Sequence, residues 1–161
     1  MLIFTLAGWN SRAACEPADE NGHSSTVATT GKWLVIVPDK IDWQPTSLLP
    51  SGAQMAVLDG DPSKPGFFTM RLKMPNGYRI PAHWHSQPER VTVISGTLYL
   101  GMGDGVKDTA IPLGPGAYSS MPPKMTHYGW MKGETILQLT SIGPWTVTYI
   151  NPAEDPRIDK K

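Results

Sequence analysis

Short apolar runs alternate with turn-forming residues from Trp33 onward, and this alternation constrains the fold more than any other feature of the chain. Sixteen glycines and sixteen prolines punctuate the runs, and no stretch keeps the apolar period of about 3.6 residues that marks an amphipathic helix. One short helical turn is expected, within 41–49. Many short strands at this spacing are typical of a sandwich or a barrel. The predicted strands are 33–37, 54–58, 67–74, 79–85, 90–95, 97–102, 109–113, 117–121, 127–131, 135–140 and 146–150.

Four ligand-type side chains fall on or beside these strands. His83 and His85 are separated by one residue, Glu89 follows four residues after His85, and His127 lies further downstream. Alternate residues of a strand point to the same face, so the first two histidines can converge on one point. Three imidazoles and a carboxylate suit a divalent first-row metal, with positions left for water or substrate. A lone histidine on a strand is more often surface or hydrogen-bonded core, but four such residues in two matched spacings favour a metal site.

The first of these spacings resembles a motif of the cupin family, G-x5-H-x-H-x3/4-E-x6-G. Gly77, His83, His85, Glu89 and Gly96 fill its fixed positions. The role of Glu89 stays open among three: a metal ligand, a carboxylate that orients a histidine, or a base beside the metal.

The second cupin motif, G-x5-P-x-G-x2-H-x3-N, is matched at Gly116, Pro122 and His127. The chain departs from it at Lys124, where glycine is usual, and at Met131, where asparagine is usual. Neither departure falls on a ligand position. The resemblance covers roughly 33–152 and implies an all-β single domain, a double-stranded β-barrel of the jelly-roll type, with the metal inside one end.

The resemblance does not select one reaction, because the cupin scaffold carries dioxygenases, isomerases, lyases, decarboxylases and binding proteins. We expect a metal-dependent oxidoreductase of the dioxygenase type that acts on a small oxygenated organic molecule, with Glu89 as a catalytic proton carrier. A metal-dependent lyase or isomerase, or a binding module without turnover, is the alternative. Fe(II) or Mn(II) is the expected metal, and Zn(II), Ni(II) and Cu(II) also suit these ligands.

Seven further residues are candidates for a substrate pocket beside the metal. Val91 and Val93 share the strand parity of Glu89 and are expected to face inward. The others are aromatic or polar side chains that can stack on a ligand or hydrogen-bond to it, although each also has a simpler reading as core, rim or solvent-facing residue. These five candidates are Tyr118, Tyr128, Trp130, Gln138 and Arg71.

Charge composition excludes some partners. The 14 basic and 14 acidic residues cancel, so nothing favours binding to nucleic acid or to an anionic membrane. The apolar run at 2–9 is too short to span a bilayer. It is similar to the end of a secretory signal, or of a lipoprotein signal that ends at Cys15, and either favours a periplasmic or secreted location over a cytoplasmic one. An ordinary N-terminal strand is the alternative.

The expected domain organisation has three parts: a signal remnant and flexible linker at 1–32, the barrel at 33–152 and a polar tail at 153–161. The single cysteine, Cys15, excludes an intrachain disulfide, and His23 in the linker is expected to face solvent. Because the edge strands of a small barrel are templates for pairing, we expect a homodimer in which strand 33–37 pairs across a two-fold axis.

Overall fold

The computed structural model describes residues 33–105 and 109–158. The described residues from Val35 onward form one compact unit, to which Trp33 and Leu34 do not belong. The expected signal remnant and linker, with Cys15 and His23, lie outside the described residues, and the domain boundaries at 32 and 152 stay predictions. None of the helices in the described ranges has the length and apolar character that a membrane span needs.

Nine strands and two short 3-10 helices make up the described secondary structure, which confirms the predicted all-β class. The 3-10 helices are Pro38–Lys40 and Pro152–Glu154. The strands are β1 (Gln44–Pro45), β2 (Gln54–Asp59), β3 (Gly66–Met74), β4 (Arg79–His85), β5 (Glu89–Met102), β6 (Ile111–Leu113), β7 (Tyr118–Met121), β8 (His127–Gly143) and β9 (Val147–Tyr149).

All strand pairs in the sheet are antiparallel. The strand order is β1-β2-β3-β8-β4-β9, and β5 pairs with β6, β7 and β8. Burial alternates along β3 and along the second half of β8, so one face of the curled sheet encloses the core and the other meets solvent. This is the jelly-roll barrel that the resemblance to the cupin family implies. The largest fully buried hydrophobic side chains are Phe68, Met70, Met74, Met131, Leu139 and Val93.

Two pairs of predicted strands are continuous in the structure. The predicted runs 90–95 and 97–102 are both parts of β5, and 127–131 and 135–140 are both parts of β8. Gly96 lies at a register shift in β5 with a φ of +74°, and a Cβ built on it would lie 2.3 Å from Thr135 Oγ1. The glycine therefore bends a strand where the sequence predicted a turn, because only glycine permits this φ together with so close an approach.

The predicted strand 33–37 is wrong: residues 33–37 are in no strand or helix. Proline at position 38 cannot donate a backbone hydrogen bond, and a 3-10 helix begins there instead. The helical turn expected within 41–49 is also wrong, since that segment contains the short strand β1, which pairs with β2. A single helical turn does form nearby, a few residues earlier, at Pro38–Lys40.

Candidate metal centre

The four ligand-type residues meet inside the curled sheet. His83 and His85 lie on one face of β4, Glu89 is the first residue of β5, and His127 is the first residue of β8. All four side chains are buried. One ring nitrogen from each of the three histidines lies within 4.8 Å of the other two. Strand pairing brings them together, because His83 is the register partner of His127.

Each imidazole is oriented by a backbone carbonyl. The Nδ1 atoms of all three rings lie at hydrogen-bonding distance from a main-chain oxygen, which can only accept, so each Nδ1 carries the proton. The opposite nitrogen, Nε2, is then an unprotonated lone-pair donor in the neutral ring, as metal-binding histidines require. The acceptors of His83, His85 and His127 are the carbonyls of Pro81, Thr146 and Met125, at 2.7, 2.9 and 2.9 Å.

Glu89 supplies an oxygen to the same point. Its Oε2 lies 3.1 Å from His127 Nε2 and 3.4 Å from His85 Nε2. The longer contact lacks hydrogen-bond geometry, and His85 Nε2 is a buried nitrogen without a hydrogen-bond partner. Unpaired buried polar atoms are rare in folded proteins. A metal ion would give this nitrogen the partner that the protein does not supply.

The electrostatics of the cluster follow from burial and mutual proximity. Burial and the neighbouring imidazoles lower the pKa of His83 to about 3. Burial alone would raise the pKa of Glu89, but His85 and His127 outweigh it and hold the pKa below its ordinary value. Burial likewise opposes protonation of His127, yet the contact with Glu89 raises the pKa of that ring. A neutral His83 and an ionised Glu89 are the forms that bind a cation.

These residues fit a divalent first-row metal. The donor set offers three imidazole nitrogens and a carboxylate, and no described thiolate lies in it. The fit rests on the orphaned His85 Nε2 and on the shared orientation of the three rings. The ligands available from the protein leave coordination positions for a further group.

The turn before His127 departs from the cupin pattern at Lys124. Its φ is +64°, in the left-handed region that favours glycine. The backbone N–H of Lys124 donates to the His85 carbonyl at 2.8 Å, and that of Met125 donates to Pro122 at 3.3 Å. The backbone therefore keeps the conformation that glycine usually provides, at the cost of local strain.

Two small cavities adjoin the cluster, each with a volume of about 30 Å³. Both are bordered by Leu72, Ile80, His83 and Glu89, so they adjoin each other at the candidate metal centre. A volume of this size exceeds the ~10–15 Å³ that a cavity needs to hold one water molecule. Apart from the ligand-type residues, neither lining contains a charged side chain.

The first cavity extends into the barrel along β5 and β8. Apolar side chains make up most of its wall. Beyond the four shared residues, its lining consists of Val91, Leu98, Leu100, Met121, His127, Tyr128, Gly129, Leu137 and Leu139.

The second cavity is bounded by a segment that leads from β1 to β2. Leu48 and Leu49 of this segment lie on its wall, and the Tyr149 hydroxyl holds the segment by donating to the Leu48 carbonyl at 2.9 Å. Burial raises the pKa of Tyr149 to about 12, so the hydroxyl keeps its proton at neutral pH. The remaining lining of the second cavity consists of Thr46, Met55, Met70, His85, Trp145 and Val147.

Two of the seven pocket candidates line these cavities. Val91 is buried on the wall of the first cavity, as is Tyr128, whose hydroxyl accepts a hydrogen bond from Thr109 N at 3.2 Å. Val93 is buried in the hydrophobic core but borders neither cavity.

The other four candidates lie elsewhere. Tyr118 is 60% exposed and borders an outer groove. Trp130 stacks on Tyr99 at a centroid distance of 5.1 Å, on the solvent-facing side. Arg71 and Gln138 are register partners on β3 and β8, and the Arg71 guanidinium donates to the Gln138 side-chain oxygen at 3.2 Å. The two polar side chains thus hydrogen-bond to each other on the outer face, where the alternation along these strands places them.

Trp145 is the principal residue of the site that the sequence analysis missed. It lies just before β9, borders the second cavity and stacks on His85 with ring centroids 4.2 Å apart. A signal was present: Trp145, Val147 and Tyr149 occupy alternate positions, which places them on one face of the last strand. All three are buried.

Comparison with known proteins gives one sequence match and many structural ones. Residues 32–146 match the model of the family described as the ChrR cupin-like domain. No sequence relative was found among curated proteins.

Solved structures with the same fold include enzymes of different activities. The polyketide cyclase RemF from Streptomyces resistomycificus has a TM-score of 0.65 at 16% identity, over 78% of this chain and 90% of its own. An acetylacetone dioxygenase from Acinetobacter johnsonii has a TM-score of 0.59 at 16% identity, over 86% and 87%. An RmlC-like cupin from Shewanella frigidimarina has a TM-score of 0.54 at 14% identity, over 66% and 87%. At such identities the likeness shows the fold alone.

Proposed function

Because the chain belongs to the family of ChrR cupin-like domains, we propose that it is a metal-dependent cupin enzyme that binds one divalent first-row metal through His83, His85, His127 and Glu89. The reaction that we propose is oxidation of a small oxygenated organic substrate by dioxygen, with Fe(II) or Mn(II) as the metal. The observation that carries the proposal is the common orientation of the three imidazoles. Each donates its Nδ1 proton to a carbonyl, and each therefore has, in its neutral form, an Nε2 lone pair available for the metal.

A bound divalent metal supplies Lewis-acid activation of substrate oxygens and, as iron or manganese, access to dioxygen chemistry. The protein itself holds the metal, shields the reacting groups from water and transfers protons. The apolar walls of the two cavities exclude bulk water from the reacting groups. Glu89 Oε2 is the carboxylate oxygen nearest the histidines and is suited to take a proton from the substrate and return it.

The lining also limits the substrate. Since no cationic side chain borders either cavity among the described residues, the substrate body that we propose is uncharged and apolar, with oxygen atoms at the end near the histidines. A substrate larger than the cavities displaces the segment that contains Leu48, which is held there by the Tyr149 hydroxyl. The fold relation to an acetylacetone dioxygenase is compatible with such a substrate.

One observation favours a second candidate, a module that binds metal without turnover. The cavities are small, about 30 Å³ each, and offer little room for a substrate in the conformation described. A lyase or isomerase shares the same site and differs only in needing no dioxygen.

One experiment separates these candidates. Protein purified without added metal is analysed for metal content, and then assayed for oxygen uptake and substrate loss over a panel of phenols, diketones and sugars. We expect a stoichiometric first-row metal and oxygen uptake with at least one panel member. Substrate loss without oxygen uptake would indicate a lyase or isomerase, and metal without either would indicate a binding module. The His85→Ala protein is the control for adventitious metal.

A further inference from the structure

Trp145 is held firmly beside the candidate metal centre, in a position that the proposed ligand set does not explain. Its indole ring is parallel to that of His85 within 17° and packs edge-on against Phe68 at 6.0 Å. Its backbone N–H donates to the Pro62 carbonyl at 2.8 Å. The side chain is only 9% exposed. These contacts fix the ring against the histidine face that borders the second cavity.

The indole N–H has no acceptor in the protein. Among the described residues, two buried side-chain nitrogens lack a hydrogen-bond partner, and they are His85 Nε2 and Trp145 Nε1. The two belong to stacked rings on the same cavity wall. The first is a lone pair and calls for a cation, whereas the second is an N–H donor and calls for an acceptor. Burial of an unpaired donor is unfavourable, which makes such a group a marker of a ligand site.

We propose that the Trp145 indole N–H donates a hydrogen bond to an oxygen atom of the substrate that lies in the second cavity next to His85. This inference rests on the proposed function, since it takes the substrate oxygens to lie near the histidines. The acceptor class follows from the surroundings. Trp145 is the only orphaned donor among the described residues of the cavity wall, whose other side chains are mostly apolar, so a carbonyl, enolate or carboxylate oxygen is recognised there and an apolar group is not.

The consequence is specificity and orientation. A substrate with an oxygen directed at Trp145 satisfies the buried donor, and an analogue without that oxygen leaves it unpaired. Trp145 thereby distinguishes oxygenated substrates from hydrocarbons of similar shape and fixes the oxygen end of the substrate beside the imidazoles.

The test uses formate as a probe, because it has two acceptor oxygens and only three non-hydrogen atoms. Uniformly ¹⁵N-labelled full-length protein is loaded with Zn(II), which is diamagnetic, and titrated with formate. Six tryptophans give one indole N–H signal each, and the Trp145 signal is assigned by its loss in Trp145→Phe. We expect this signal to move downfield with formate while the others stay, and a role limited to stacking on His85 would not move it.

The substitution supplies a second readout. Trp145→Phe keeps an aromatic ring against His85 but lacks the N–H, so we expect formate to bind at least about fivefold more weakly, with Zn(II) affinity changed less than about twofold. Trp43→Phe is the matched control, because Trp43 borders neither cavity and packs beneath the Lys73 ammonium, 4.8 Å from its ring.

The outcomes separate the two proposals. If formate binds the Zn(II) protein without moving the Trp145 signal, or binds Trp145→Phe equally well, the role of Trp145 is refuted and the metal centre stands. If Zn(II) binds and formate does not, the oxygen site next to Trp145 is likewise refuted. If the protein binds no Zn(II) at the histidines, the proposed function fails and this inference fails with it. Should Trp145→Phe not fold, the Trp145 indole signal is assigned in the native protein by triple-resonance experiments, and its shift with formate still decides.

Discussion

His83 on β4 lies directly opposite His127 on β8 in the antiparallel register, and their ring centroids are 4.2 Å apart. Cross-strand partners of this kind have neighbouring side chains on the same face of the sheet. The pairing of β4 with β8 therefore joins the two histidine motifs, which lie far apart in the sequence. A one-residue slip would turn one of these rings to the other face and abolish the cluster.

Removal of one imidazole should abolish metal retention. In His85→Ala the cluster loses the nitrogen that has no partner within the protein. Since loss of a residue that only orients a ligand costs about 10–100-fold in metal affinity, we expect at least about 100-fold for the ligand itself. Metal content after dialysis, with metal affinity from competition with a chelator, measures the effect. His23→Ala is the control, and equal metal retention in both variants would contradict the assigned site.

Glu89→Gln should separate metal binding from turnover. The amide keeps the shape and an oxygen donor but cannot take a proton near neutral pH. We expect the variant to retain most of its metal and to lose about 10²–10⁴-fold in turnover with any substrate found by the assay panel. Elemental analysis and oxygen uptake on one preparation provide the two readouts. Unchanged turnover would make Glu89 a spectator and leave the chemistry to the three histidines.

Gly96 and Gly77 provide a matched pair for backbone strain. Both have a positive φ, +74° and +76°, but a Cβ on Gly96 would lie 2.3 Å from Thr135 Oγ1 whereas one on Gly77 meets nothing within 4 Å. We expect Gly77→Ala to lower the free energy of unfolding by about 1 kcal/mol, from φ alone, and Gly96→Ala by about 3 kcal/mol or more, from φ and overlap together. Urea denaturation measures both. Equal losses would show that the bend in β5 tolerates a side chain.

Lys124 should respond in the opposite direction. Its φ of +64° costs a residue with a Cβ about 1–2 kcal/mol, and replacement by glycine removes this strain. Part of the stabilisation is offset because glycine has more conformational freedom in the unfolded chain. We therefore expect Lys124→Gly to raise the free energy of unfolding by about 0.5 kcal/mol. Lys132→Gly is the control. Lys132 lies inside β8 and is the register partner of Thr97 on β5, so glycine there should lower the free energy of unfolding by about 0.5–1 kcal/mol. Urea denaturation measures both variants. A lower free energy of unfolding for Lys124→Gly would contradict the proposed backbone strain at Lys124.

Self-association remains a prediction from the sequence. Val35 and Val37 are 59% and 50% exposed just before the first 3-10 helix, and an exposed apolar segment favours burial against a second copy. Light scattering should give about twice the monomer mass of 17.6 kDa at micromolar concentration. The double variant Val35→Asp/Val37→Asp should return the mass to that of the monomer, and Val57→Asp on β2, also exposed, should not. A monomeric native protein would refute the dimer.

Much of the fold was accessible from local patterns. Alternating burial along β3 and β8 follows from alternating apolar residues: Met70, Leu72 and Met74 are buried, whereas Arg71 between them points to the opposite face. The spacing of the histidines and Glu89 indicated a site because strand parity fixes relative side-chain direction within a few residues. The predicted site residues lie together inside the fold.

Five of the seven pocket candidates border neither cavity, for a physical reason. Parity states which residues share a face but not which face is the inner one, nor how deep along the strand a residue lies. Tyr118 and Trp130 are on the outside because curvature and register of β5, β7 and β8 place them there. Arg71 and Gln138 satisfy one another across β3 and β8, a pairing that depends on contacts between segments distant in sequence.

The sequence by itself determined the all-β class, the membership of four residues in one candidate site and which alternate residues of a strand share a face, because these depend on periods of two residues and on short spacings. Only the tertiary structure decided that Gly96 bends β5 without ending it, that three carbonyls set the tautomer of the three imidazoles, and that the Trp145 indole stacks on His85. Each of those features depends on long-range register and sheet curvature, which are fixed by how distant strands pack together and not by any local run of residues.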